Sequence, residues 1–214
     1  MMHTIQRLFS IMIMWGGLWP ICMAGDSIDH RLFNHVVNAP EKAEKSKKRF
    51  IKYLRLEAHN DTEMVESIYY WMTYNIAYDV SLYDKTEDFV LTDSFFSRKG
   101  ICAEYSRLFV QLCELAGIEV EFLSGYAKTN TPVSSESPGI RHAWNRVKLN
   151  GQWRLVDVTW GTRSRLKGNG VERKQPNLSY LFISPEDLIK THFPYKAEWQ
   201  MLAKPVTESE FIKS

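Results

Sequence analysis

The rhythm of apolar positions changes once along the chain, at Gly117. Before it, apolar residues recur at helical spacing. In "NDTEMVESIYYWMTYNIAYD", Val65, Ile68, Tyr69, Met72 and Ile76 fall on one stripe. Asn60 with Glu63 three residues on gives that helix an N-terminal capping signal. In "CAEYSRLFVQLCELAG", Leu108, Phe109, Leu112 and Leu115 form a second stripe, and Gly117 supplies the stop. An earlier helix is expected from Pro40, with Phe50, Ile51 and Leu54 on its apolar face.

After Gly117 the pattern alternates. "IEVEFLSGYAK" reads as a strand, and "TNTPVSSESPG" as a polar surface loop. "IRHAWNRVKLNGQWRLVDVTWG" reads as two strands around an Asn150-Gly151 turn. "LSYLFIS" adds a short strand, and "PEDLIKTHFPYKAEWQML" closes the domain. A helical block followed by an antiparallel block predicts an α+β fold.

The ends add a different signal. Residues 1–24 carry Arg7, an apolar run from Leu8 to Ile21, and small residues at Cys22 and Ala24. That is the pattern of a cleaved secretory leader, too short for the roughly 20 apolar residues of a bilayer span. The expected product is secreted or periplasmic, with no stable membrane span. Residues 25–39 read as a flexible mature N-terminus, 40–203 as the domain, and 204–214 as a C-terminal tail.

Composition suits one globular domain of 214 residues, 44% of them hydrophobic and 24% charged. The net charge of +2 becomes +1 without Arg7, which gives no reason to expect a nucleic-acid partner. Two segments are locally basic. Residues 41–57 hold seven Lys/Arg against three Glu and read as a solvated helix face. Residues 162–177 form a loop of net charge +4.

Without the leader, Cys102 and Cys113 are the remaining cysteines. On one helix, eleven residues separate their Cα atoms by roughly 16 Å. A disulfide spans about 7 Å at most, so the two cannot pair. Cys113 reads as a buried, inert thiol. Cys102 follows "RKG" at the helix start, where unpaired N–H groups and the helix dipole favour a thiolate.

The hairpin supplies partners for that thiol. If Leu149 pairs with Gln152, the ladder sets Trp144 opposite Asp157 and His142 opposite Thr159. His142 and Asp157 are then diagonal neighbours on one face, about 7–8 Å apart at Cα. An acid orienting an imidazole is half of a nucleophilic triad, and Cys102 is the candidate nucleophile. No CxxC or HxxxH spacing suggests metal ligation, and the expected chemistry calls for no cofactor.

These residues carry a resemblance. "GICAEYSRLFVQLCELAGIEVEFLSGYAK" followed by "HAWNRVKLNGQWRLVDVTWG" resembles the transglutaminase-like superfamily core. "WMTYNIAYD" and "YLFISPEDLIKTHFPYKAEWQML" resemble its kyphoscoliosis peptidase-type subgroup. The resemblance implies a papain-like fold, with the Cys helix packed on an antiparallel sheet. It places the nucleophile on Cys102, the base on His142 and the orienting acid on Asp157. It implies acyl transfer on protein or peptide amides, by a cysteine peptidase or amidase, a transglutaminase, or a non-catalytic relative of either. The backbone N–H of Cys102 is the expected oxyanion donor. Tyr78, Trp144 and Trp160 read as core aromatics that could also shape the site.

Overall fold

A computed structural model describes residues 27–82, 93–129, 134, 138–162 and 175–214. The expected leader, most of the polar loop at 129–139, and residues 163–174 of the basic loop lie outside them. The helices are α1 (His30–Val37), α2 (Lys47–Leu54), α3 (Asp61–Asn75), α4 (Ser94–Ser97), α5 (Cys102–Leu115), α6 (Val158–Gly161), α7 (Pro185–Leu188) and α8 (Glu208–Lys213). The strands are β1 (Ala77–Tyr78), β2 (Lys99–Gly100), β3 (Val120–Ala127), β4 (Ile140–Leu149), β5 (Gln152–Val156), β6 (Leu181–Ile183) and β7 (His192–Pro194).

The fold is α+β, as the change of rhythm at Gly117 predicts. The main sheet is antiparallel in the order β6-β5-β4-β3-β7, and β1 and β2 form a small parallel pair. Helix α5 packs on β3 and β4, with α2 and α3 against it. The larger core fills that space with Phe50, Tyr69, Trp71, Phe109, Leu112 and Val147, among others. Leu123, Trp144, Leu155 and Leu188 form a smaller cluster.

Local chemistry explains the boundaries. Asn60 Oδ1 accepts the Glu63 N–H at 2.9 Å and starts α3. Asn150 and Gly151 have φ of 51° and 79°, the left-handed pair that a two-residue hairpin turn requires. The register then runs from Leu149 opposite Gln152 to Asn145 opposite Val156, as the turn predicts.

Three expectations change. The helix expected from Pro40 begins at Lys47, because Ser46 caps it and residues 40–44 close tight turns instead. The stretch read as a flexible N-terminus contains α1, whose Leu32 and Val36 are buried and whose N-cap is Asp29. The hairpin ladder stops at Val156, so Thr159 is not opposite His142. Asp157 leaves the ladder because its side chain caps α6.

Candidate active site

The alternation of the strands puts one set of side chains on one face. Leu123, Gly125 and Ala127 of β3 pair with Trp144, His142 and Ile140 of β4. Gly125 and Ala127 also pair with Pro194 and His192 of β7. Small residues on β3, between β4 and β7, leave room above it for two imidazoles. Gly125 is also required by the approach of β7, since a Cβ there would lie 2.1 Å from the Phe193 carbonyl oxygen.

Asp157 sits just past the end of β5 and is completely buried. Its Oδ1 accepts the Trp160 backbone N–H at 3.0 Å. Its Oδ2 lies 2.8 Å from His142 Nε2 and 3.1 Å from His192 Nε2. Burial opposes the charge of Asp157, but the His142 charge and hydrogen bond, then those of His192, hold it well below the usual carboxylate range. An ionised carboxylate only accepts, so both imidazoles present N–H at Nε2. That tautomer leaves His142 Nδ1 for the thiol.

His142 is buried between two indoles. Its ring lies 6.0 Å from Trp144 and 5.8 Å from Trp160. Burial works against a charged imidazole here. The Asp157 carboxylate and its hydrogen bond, with a hydrogen bond and charge from Cys102, outweigh burial and push the His142 pKa up to about 9.

Cys102 is the first residue of α5 and is 5% exposed. The preceding Ile101 N–H is taken by Glu104 Oε2 at 3.0 Å. Four residues on, Ser106 Oγ donates to the Trp144 carbonyl at 2.7 Å. That bond ties α5, one turn after Cys102, to β4, two residues from His142. Cys113 lies fully buried in the larger core, and burial pushes its thiol pKa well up. Both cysteines are free thiols.

The structure therefore brings Cys102, His142 and Asp157 together and keeps Cys113 apart. Of the three aromatics noted in the sequence, Trp144 and Trp160 flank the imidazole. Tyr78 is partly exposed and packs 6.3 Å from Tyr105.

His192 is the site residue that sequence reasoning did not find. Its strand pairs with β3, at the opposite edge of the sheet from β6, its neighbour in sequence. No local spacing links residue 192 to residue 157. The donor atoms of His142, Asp157 and His192 lie within 4.8 Å of one another, and a divalent cation could enter only by displacing both ring protons.

Chemically, a carboxylate fixes one nitrogen of an imidazole while the other faces a thiol at a helix start. That geometry suits proton transfer between thiol and imidazole. It coincides with a shared ancestry: the chain belongs to the transglutaminase-like superfamily, whose core matches residues 48–158. Kyphoscoliosis peptidase of Mus musculus is 33% identical over 196 residues, 87% of this chain and 29% of that protein. The Homo sapiens protein of that name is 34% identical over 162 residues, 72% of this chain and 24% of its own length. The chain thus spans less than a third of either. Among solved structures, the periplasmic domain of TgpA from Pseudomonas aeruginosa is similar at 22% identity and a TM-score of 0.41. That match covers 63% of this chain and 49% of that one.

Proposed function

We propose that this protein is a thiol-dependent acyl-transfer enzyme that hydrolyses protein or peptide amides. The observation that carries the reading is the continuous contact from Asp157 through His142 to Cys102. Support also comes from the relatives at 33% and 34% identity, which bear the name of a peptidase.

In the proposed reaction, His142 Nδ1 takes the Cys102 proton, or already holds it in a thiolate–imidazolium pair, and Asp157 stabilises the imidazolium. The thiolate adds to the amide carbonyl, forming a C–S bond and an oxyanion. The backbone N–H of Cys102, in the first turn of α5 where N–H groups have no intrahelical acceptor, donates to that oxyanion in this reading. Collapse breaks the C–N bond, and the His142 proton leaves with the amine. Water then adds to the thioester as His142 takes its proton. Release of the acid returns the proton to the thiol.

The same thioester could pass its acyl group to a lysine amine, which is the transglutaminase outcome. The decisive experiment incubates the protein with a glutamine-rich protein and a labelled primary amine, with Cys102→Ala as control. Cleavage or ammonia release without amine incorporation is the expected result. Incorporation without cleavage would overturn the hydrolytic reading.

We also propose that the product is exported, on the strength of the leader pattern at residues 1–24. Intact-mass measurement on the expressed protein tests this. A mature chain beginning just after Ala24 is expected, and a full-length chain would sink it.

A further inference from the structure

Acyl transfer needs one imidazole, yet two reach the same carboxylate oxygen. His192 is 1% exposed, so its ring nitrogens must find partners within the protein. Nε2 faces Asp157 Oδ2 at 3.1 Å, and Nδ1 lies 2.8 Å from Thr191 Oγ1. The ring meets Trp160 edge-on at 4.4 Å and Trp144 at 5.2 Å. Its strand is anchored on β3 at Ala127 and Gly125. Thr191, the two indoles and the pairing with β3 therefore hold the imidazole in place, with its Nε2 on Asp157.

The Asp157 carboxylate gains what His192 supplies. The Trp160 N–H fixes Oδ1 and the His192 N–H fixes Oδ2, so both oxygens are held by donors that take no part in proton transfer. The carboxylate cannot turn about Cβ–Cγ when His142 gains or loses its proton. The charged and titratable groups around the couple come from four elements: Cys102 on α5, Tyr69 on α3, Tyr180 before β6 and His192 on β7.

We propose that His192 is a positioning residue for the His142–Asp157 couple: its Nε2–H pins Asp157 Oδ2 where the His142 Nε2–H meets it. The inference rests on the acyl-transfer reading of Cys102. It assigns a fourth side chain to the machinery, one that acts through the Asp157 carboxylate.

The test compares two amides of different reach. In His192→Gln the side-chain N–H falls near the place of the imidazole Nε2–H. In His192→Asn the same group stops short. Alkylation of Cys102 by iodoacetamide at pH ~6 is followed by site-resolved mass spectrometry on the full chain. Thiolate absorbance at ~240 nm serves as a second readout, and near-ultraviolet circular dichroism reports folding. Misplacement of a catalytic group by a fraction of an ångström to 1 Å costs up to about a hundredfold. His192→Gln should alkylate within about threefold of wild type, and His192→Asn should be about tenfold or more slower with its fold retained. A His192→Asn protein as reactive as wild type overturns the inference and leaves the acyl-transfer reading intact. A His192→Gln protein as slow as His192→Asn also overturns it, since ring shape rather than the donor would then matter. A wild-type Cys102 no faster than free cysteine overturns both readings.

Discussion

At one end of α5, Cys102 faces His142, with Asp157 and His192 beyond the imidazole. Eleven residues later, Cys113 lies in an apolar core with Phe109 and Leu112. Exposure does not separate the two residues, at 5% and 0%. The surroundings do. Cys102 begins the helix, among N–H groups with no intrahelical acceptor. The Cys113 carbonyl lies in the last turn, where the Ala116 and Ile118 N–H groups close on it. The helix dipole thus favours an anion at the first position and opposes one at the second. The same side chain can be a nucleophile or a filler, according to which end of one helix carries it and what the sheet presents there.

The largest expected difference between the ends is in turnover. Cys102→Ala should remove amide cleavage by about four orders of magnitude or more, while Cys113→Ala should stay within about threefold of wild type below its melting temperature. Cleavage assays on both variants decide it. Activity surviving Cys102→Ala would erase the contrast. Next come the partners of Cys102. His142→Ala and Asp157→Asn should each lower kcat by about 10²–10⁴-fold with the fold retained. Wild-type turnover in either would remove that residue from the mechanism.

The Cys102 end was more legible in sequence than its completion. Cys102 could be read as a helix start because the stripe from Leu108 to Leu115 and the stop at Gly117 fix the helix, and α5 begins and ends where they say. The His142–Asp157 meeting could be reached because one turn, Asn150-Gly151, sets a register by local geometry. The way Asp157 gets there was not legible. Its side chain competes with the ladder and wins as an N-cap, so strand pairing ends one residue earlier. Helix α1 was missed because it is short and its stability comes from docking Leu32 and Val36 on the core rather than from propensity. His192 was missed for a topological reason: β6 and β7 lie on opposite edges of the sheet, and that crossing is a property of the whole domain.

The two ends should also lose stability in different pH windows. An imidazole whose folded pKa is raised contributes stability that is complete below its unfolded value and is lost as pH rises through the folded one. For His142 that window runs from 6.5 to about 9. Cys113 is an acid with a raised pKa, so the unfolded thiol ionises while the folded one keeps its proton. Its loss begins only above 9.0. Asp157, an acid with a depressed pKa, loses its contribution as pH falls below 3.8. Melting temperatures of wild type should decline between pH ~6.5 and ~9, and that decline should flatten in His142→Ala but persist in Cys113→Ala. A decline unchanged by His142→Ala would break the assignment.

Cys113→Ala should itself cost about 1–2 kcal/mol, because it empties a sulfur-sized volume in a packed core. Denaturant unfolding measures this.

The smallest effect concerns the link between the regions. Ser106 lies one turn after Cys102, is buried, and donates to the Trp144 carbonyl at 2.7 Å. Its own carbonyl accepts from Asn145 Nδ2 at 3.2 Å. These two bonds join α5 to adjacent residues of β4, the strand that carries His142. Ser106→Ala removes the first and leaves the second. The Trp144 carbonyl loses one hydrogen-bond donor, and the hydroxyl is replaced by nothing larger than hydrogen. A neutral hydrogen bond of this kind contributes about 1 kcal/mol, so unfolding free energy should fall by about that amount. The thiol should feel it more weakly, because the Asn145 bond and the packing of α5 on β3 and β4 still hold the helix. Cys102 alkylation in Ser106→Ala should therefore slow by no more than about threefold at pH ~6, while Cys113 stays unreactive. A slowing of about a hundredfold would mean that this one bond, rather than the packed helix, sets the distance from thiol to imidazole. The contrast between the two ends of α5 would then depend on Ser106 as much as on His142.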